Sequence, residues 1–228
     1  MIKTVFLDLD DTLLDFGMAE AAALQRALSE AGIPPEARVL ERYHEINAAQ
    51  WALLEKGELT REQVLTRRFE LLFSEMDLGN GCLEVGERYE TYLGRGHWFI
   101  PGAEALLETL FPRYALYLAT NGTAAIQHTR LESAGIARYF QGIFISQEMG
   151  ADKPDRAFFE ACFAAVPDFS RNTALMVGDS LTSDIRGGRN AGIRTCWFNP
   201  RGRSCREDIR PDAEIRALSE LPDLLERM

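Results

Sequence analysis

The chain has 228 residues, 46% of them hydrophobic, with 35 acidic against 25 basic side chains and a formal charge of -10. That apolar content is enough for a buried core, and the negative balance argues against general affinity for nucleic-acid backbones or anionic membranes. No apolar run approaches the roughly 20 residues of a membrane span, and the opening MIKTVFLDLDD turns acidic too soon for a secretory signal. Cys82, Cys162, Cys196 and Cys205 show no CxxC spacing, so reduced thiols in a cytoplasmic protein are expected.

A first strand is expected over residues 3–9, where apolar and β-branched residues run together. From residue 18 to residue 92 the pattern takes a helical period. The stretches are AEAAALQRALSEAG, ARVLERYHEINAAQWALLEKG, TREQVLTRRFELLFSEM and CLEVGERYETYLG, separated by Gly, Pro and Thr breaks. Pro34-Pro35 precedes the second, and Thr60 with Gln63 has the form of a capping box before the third. After Pro101 strands and helices alternate. Strands are expected at 114–120, 142–146, 173–179 and 193–199, with helices at 123–135, 154–166, from 180 through 189, and 218–228. Apolar strands alternating with helices imply an α/β fold, a three-layer Rossmann-like sandwich with a parallel sheet. The economical division is a core of residues 1–15 and 97–228, with an all-helical cap, residues 16–96, spliced into its first connection.

Ligands of open α/β sheets bind at the carboxyl ends of the strands. The first expected strand ends in Asp8-Leu9-Asp10-Asp11-Thr12, the second in Thr120-Asn121-Gly122. The third is followed by Lys153-Pro154, and the fourth ends in Gly178-Asp179-Ser180, with Asp184 five residues beyond Asp179. Alternation along a strand points Asp8 and Asp10 the same way. Two carboxylates about 4 Å apart repel by roughly 4 kcal/mol at an effective dielectric near 20, so gathering them requires a proton or a cation. Hard oxygen ligands without His or Cys favour magnesium. Lys153, one of only three lysines, is a compact charge suited to a phosphate oxygen. Thr120 adds a hydroxyl, and Asn121-Gly122 lead to amides at a helix N-terminus, where an anion is favoured.

Together these groups describe a phosphoryl group held for transfer. With no Ser-His or Cys-His pair evident, Asp8 is the expected nucleophile, giving an aspartyl-phosphate that water hydrolyses. Asp10 would protonate the leaving oxygen and then deprotonate the incoming water. Magnesium, Lys153 and Thr120 would spread the charge of the loose transition state.

DLDDT, LATNG, ADKPD and GDSLTSD resemble, in order and spacing, the four motifs of the haloacid dehalogenase-like (HAD) superfamily of phosphotransferases. The helical insert resembles that superfamily's C1 cap. The resemblance implies magnesium held by Asp8, the Asp10 main-chain carbonyl and Asp179, with Asp184 supporting the metal shell from a second layer. It implies a phosphate site at Thr120, Asn121, Gly122 and Lys153. ATNGTAAIQHTRLESAGIARYF, SQEMGADKP and MVGDSLTSDIRGGRNAGIRTCWFN are similar to the pyrimidine 5′-nucleotidase branch, which dephosphorylates nucleoside monophosphates. The implied partner is a small phosphorylated substrate, a nucleoside monophosphate in that branch, and neither a nucleic-acid polymer nor a membrane. Monomer and homodimer both stay open.

A phosphatase for a sugar phosphate or phosphoglycolate, or a phosphomutase, would keep the same four motifs. A catalytically silent binding module would be expected to lose Asp8 or Asp10, and both are present. Dehalogenation needs neither a metal nor an acid at position 10. Phosphonate cleavage needs a cap lysine, and only Lys56 is available. Asp11 and Asp15 read as turn or helix-cap acids, and Trp51 and Phe69 as packing within the cap. Phe16, at the junction after the first motif, is the candidate for substrate specificity through stacking on a base. His44, His97 and His128 carry no role. The cap arginines read as a solvated face from which one can reach a substrate. Hinges are expected near 15–18 and 94–98.

Overall fold

The computed structural model describes residues 1–205 and 208–228. Its central strand β1 (Thr4–Leu7, TVFL) is buried at every position, as an inner strand covered on both faces must be. The other strands are β2 (Ala115–Thr120), β3 (Gly142–Ile145), β4 (Ala174–Gly178), β5 (Arg194–Phe198) and β6 (Ala213–Ile215). Among the described residues these six form one sheet in the order β3-β2-β1-β4-β5-β6. Every pairing is parallel, with Leu7 opposite both Leu118 and Val177.

Side-chain alternation divides the core between the two faces of this sheet. Val5, Leu7, Leu116, Leu118, Leu175 and Val177 pack on one face. They meet leucines carried by three helices described below, at positions 106, 107, 110, 131, 221 and 225. Phe6, Tyr117, Ala119 and Met176 face the other way, against Phe158, Phe159, Cys162 and Phe163. Each fully buried side chain of this size contributes about 1.5–3 kcal/mol relative to exposure. The three-layer Rossmann-like α/β sandwich is therefore what the apolar strands dictate.

Between β1 and β2 the chain builds α1 (Phe16–Glu30), α2 (Ala37–Glu55), α3 (Arg61–Glu75) and α4 (Cys82–Arg95). Asp15 caps α1 by accepting from Met18 N, and Thr60 with Gln63 forms the expected capping box on α3. The four helices enclose their own core, centred on Tyr43, Phe69 and Tyr89, whose rings lie 5.0–5.4 Å apart. Two chain crossings join this bundle to the sheet and run side by side: Asp15 N donates to Trp98 O (2.7 Å) and Ile100 N to Leu13 O (2.9 Å).

The remaining helices are α5 (Ala103–Leu110), α6 (Ala124–Ala134), α7 (Ser146–Met149), α8 (Arg156–Ala164), α9 (Arg186–Asn190) and α10 (Leu221–Arg227). Leu106, Leu107 and Leu110 lie on α5, Leu131 on α6, and Leu221 and Leu225 on α10. Three elements lay outside the expected pattern, one being the four-residue helix α7 that follows β3. Helix α5 buries Ala103, Leu106, Leu107 and Leu110 at helical spacing, and β6 is a three-residue edge strand. The helix expected after the fourth strand begins as a wide π turn, Leu181–Ile185, before α9. Among the described residues no helix is long and apolar enough to cross a membrane.

Candidate active site

The chain leaves β1 for β2 on one side and returns to β4 on the other, which opens a crevice at the carboxyl ends of these strands. A cavity of about 340 Å³ lies there, roofed by the helical bundle, within the roughly 300–1,000 Å³ of small-molecule sites. Asp8, Asp10, Thr120, Asn121, Gly122 and Lys153 line it, together with Asp179, Asp184 and Phe16. Strand β1 stops at Leu7, so Asp8 and Asp10 sit in the following turn rather than on the strand. Asp8 N still reaches Val177 O (3.0 Å), and Leu13 N and Leu14 N both donate to Leu9 O (2.9 Å). Asp11 takes a left-handed φ of 58° inside that turn and accepts from Phe16 N at 3.0 Å.

Lys153 organises the acids. Its buried Nζ donates to Asp8 Oδ1 (2.7 Å), Asp184 Oδ1 (2.6 Å) and Ala119 O (2.7 Å). Burial opposes its charge, but Asp184 and Asp8 outweigh that and raise its pKa. Asp8 Oδ2 accepts from Thr12 Oγ1 (3.1 Å), and Asp184 Oδ2 from Ser180 N (3.0 Å). Asp8, Asp179 and Asp184 each present an oxygen within 4.8 Å of the others. Asp184, expected in a second layer, thus offers an oxygen to the same cluster.

Three carboxylates and one ammonium leave two negative charges, and the donors are all hard oxygens. Burial pushes the Asp8 carboxyl well above its usual range, opposed by Lys153 and reinforced by its acidic neighbours. Burial, with Asp184 and Asp11, pushes Asp179 up to about 7. A divalent, oxygen-loving cation answers both the charge and the repulsion, and Asp8, Asp179 and Asp184 could hold it. The residues fit magnesium. Trp197 Nε1 and Arg203 Nη2 hold the Asp179 main-chain oxygen, each at 2.8 Å.

On the opposite wall the Thr120 hydroxyl accepts from Gln127 Nε2 (2.8 Å). The Asn121 side chain is tied to the Lys153 main chain, Nδ2 to O and N to Oδ1, both 2.8 Å. It therefore fixes the lysine's backbone, and its own contribution to an anion falls to the main chain. Gly122 is there because a Cβ would stand 2.3 Å from the Gln127 side chain. Asp10 accepts from Gln127 Nε2 (2.7 Å) and from Arg130 Nη1. Gln127 and Arg130, both buried on α6 and lining the cavity, are candidate-site residues that sequence reasoning did not single out. Their i, i+3 spacing was visible, but a polar pair on a polar helix does not announce that it faces inward.

The bundle also contributes. Arg61, on α3, reaches the sheet-bearing part of the chain, bonding Asn121 O, Gly122 O, Ser146 Oγ and Asp152. Glu55 Oε2 accepts from Thr182 Oγ1 at 2.8 Å. Phe16 lines the cavity with its ring centroid 5.8 Å from the Arg130 guanidinium carbon. Phe69 packs inside the bundle, whereas Trp51, expected there too, lines the cavity instead. Lys56 is exposed and is not among the residues that line the cavity.

A family model described as haloacid dehalogenase-like hydrolase matches residues 2–192. The chain is 38% identical over 226 residues to pyrimidine 5′-nucleotidase PynA of Streptococcus pneumoniae, covering 99% of this chain and 95% of that one. It is 32% identical over 221 residues to pyrimidine 5′-nucleotidase YjjG of Escherichia coli, covering 97% and 96%. The crystal structure of the HAD-hydrolase YfnB from Bacillus subtilis, bound to magnesium and revealing interdomain movement, superposes with a TM-score of 0.94. Identity with it is 38%, and 98% of each chain is covered.

Proposed function

The chain belongs to the haloacid dehalogenase-like hydrolases, and within that family we propose that it is a magnesium-dependent phosphomonoesterase whose substrates are nucleoside 5′-monophosphates, pyrimidine ones first. The observation that carries this reading is Asp8, held by Lys153 inside a three-acid cluster and facing a wall of hydroxyl and amide donors. Residues 16–96 would act as a cap closing over a core of residues 1–15 and 97–228.

Asp8 attacks phosphorus, the P–O bond to the leaving group breaks, and an aspartyl-phosphate forms. Asp10, positioned by Gln127 and Arg130, donates its proton to the leaving oxygen. It then takes a proton from the water that attacks the aspartyl-phosphate, releasing phosphate and restoring Asp8. The Thr120 hydroxyl donates to a phosphoryl oxygen as its charge spreads, while Lys153, its three protons held by Asp8, Asp184 and Ala119 O, supplies a fixed positive charge beside the site. Asp8, Asp179 and Asp184 would hold magnesium, which would supply Lewis-acid stabilisation of that charge.

The leaving-group end of the cavity is walled by Phe16, Trp51, Leu65, Leu93 and Ile126, apolar surface suited to a flat base. The names of the two nucleotidase relatives support the same substrate class. A diffusible phosphate ester as substrate and buried thiols at Cys162 and Cys196 suit a cytoplasmic enzyme. The test is phosphate release from a panel of pyrimidine and purine nucleotides, sugar phosphates and phosphoglycolate, with and without magnesium. Magnesium-dependent release strongest on pyrimidine nucleotides is expected. Preference for a sugar phosphate or phosphoglycolate would retain the chemistry and overturn the substrate.

A further inference from the structure

The turn between α2 and α3 reaches over the cavity and grips the core on both flanks. On the acid-cluster side Glu55 Oε2 accepts from Thr182 Oγ1 at 2.8 Å. On the other side Arg61 Nη1 donates to Asn121 O (3.0 Å) and Gly122 O (2.9 Å). Its Nη2 donates to Ser146 Oγ (2.7 Å) and to Asp152. The Arg61 side chain is only 12% exposed, and its guanidinium carbon lies 5.5 Å from the Trp51 ring centroid. This is the fixed fork of an arginine used in full, a geometry that a lysine cannot copy.

The two carbonyls matter because of what lies at the far end of each peptide. Asn121 O shares a peptide plane with Gly122 N–H, and Gly122 O with Thr123 N–H. In a trans peptide the two groups point in opposite directions, so holding both carbonyls fixes where both N–H groups aim. Gly122 and Thr123 line the cavity, and among the described residues neither N–H has an acceptor. A hydrogen bond to a carbonyl also polarises its peptide and strengthens the N–H as a donor.

We propose that Arg61 is a positioning residue of the phosphate site: its grip on the Asn121 and Gly122 carbonyls aims the free N–H groups of Gly122 and Thr123 at the phosphoryl oxygens, so the site is complete only when the cap is seated. This rests on the phosphomonoesterase reading. A latch that merely holds the cap down would make the same contacts to Ser146 and Asp152 but would leave recognition of a bare anion unchanged.

The deciding experiment is calorimetric titration of orthovanadate, a phosphoryl mimic with no leaving group, into the magnesium-loaded protein. Wild type, Arg61→Met, Arg61→Lys and Thr182→Val are compared, with kcat and KM on p-nitrophenyl phosphate measured alongside. Arg61→Met should weaken vanadate binding about tenfold and lower kcat at least as much, the scale of misplacing an oxyanion donor. Arg61→Lys should fall between Arg61→Met and wild type. Thr182→Val, which frees the other flank of the same turn, should weaken vanadate less than about threefold, below the range of a lost oxyanion donor. Wild-type vanadate affinity in Arg61→Met overturns the proposal. So does wild-type affinity in Arg61→Lys, should the Met variant not fold, and so do equal losses in Arg61→Met and Thr182→Val. Vanadate binding by a wild type that releases no phosphate would sink the phosphomonoesterase reading while still deciding the role of Arg61.

Discussion

A single methyl group at Gly178 would test how tightly the acid cluster is built. A Cβ there would stand 2.1 Å from Asp184 Oδ2 and 2.3 Å from its Cγ, where ordinary contact begins at 3.4 Å. The carboxylate must therefore retreat by about 1.3 Å, the difference between the contact distance and the Oδ2 approach. Asp184 is fully buried and has nowhere to go without releasing Ser180 N, now at 3.0 Å, and straining its 2.6 Å bond to Lys153. Losing a hydrogen bond to a charged group costs about 1.5–3 kcal/mol, and overpacking a core position about 1–3 kcal/mol. Together they amount to about 4 kcal/mol, or roughly 10 °C in Tm for a chain of this length. Gly178→Ala should show that loss in thermal unfolding with chelator present. The magnesium concentration for half-maximal phosphate release should also rise about tenfold, the equivalent of about 1.4 kcal/mol in metal affinity. A Gly178→Ala protein with wild-type Tm and wild-type magnesium dependence would refute the close approach of β4 to Asp184.

Gly122→Ala should displace the buried Gln127 from both Thr120 and Asp10, cutting kcat by about tenfold or more and lowering the unfolding temperature as well; an unchanged kcat would contradict the bridging role. Lys153→Met leaves Asp8 and Asp184 facing each other, so stability with chelator present should fall by about 3–5 kcal/mol. Addition of magnesium should recover part of that loss, and urea titrations with and without the metal read both. Glu55 provides a pH test: burial, then Asp184, raises its carboxyl, opposed by Thr182, Lys153 and Arg186. Its folded pKa exceeds the unfolded 4.5, so the folded state holds a proton that the unfolded state has lost. Wild-type stability relative to Glu55→Gln should thus fall as pH rises from 4.5 through the folded value, then level off. A difference that stays flat from pH 4 to pH 8 would contradict this.

The legible part of the site was the part that violates a local rule. An apolar strand ending in Asp8 and Asp10, a second ending in Asp179, and a rare lysine at Lys153 are costly choices unless a cation and an anion bind there. The alternating strands and helices behind them gave the three-layer fold in the same way. The helix-borne groups were hidden for the opposite reason, since Gln127, Arg130, Arg61 and Glu55 are unremarkable as surface residues. Only the packing of α6 and of the α2–α3 turn against the crevice makes them internal, and that is a tertiary fact. Trp51 illustrates the same limit: helical spacing marked it as apolar and facing inward, but not whether inward meant the bundle or the cavity. Helix α5 was readable from Ala103, Leu106, Leu107 and Leu110, whereas β6 is too short for any periodicity to register. The left-handed turn at Asp11 that follows β1 is one that an aspartate tolerates but does not require.

The most direct test of the chemistry is to trap the covalent intermediate. Enzyme mixed with a nucleoside monophosphate and magnesium would be quenched within one turnover and treated with borohydride, which reduces an acyl phosphate to the alcohol. Peptide mapping should then find homoserine at position 8, dependent on both substrate and magnesium and absent from Asp8→Asn, which should also release no phosphate. Sustained phosphate release with Asp8 unmodified, or by Asp8→Asn at the wild-type rate, would contradict the assignment of Asp8 as nucleophile.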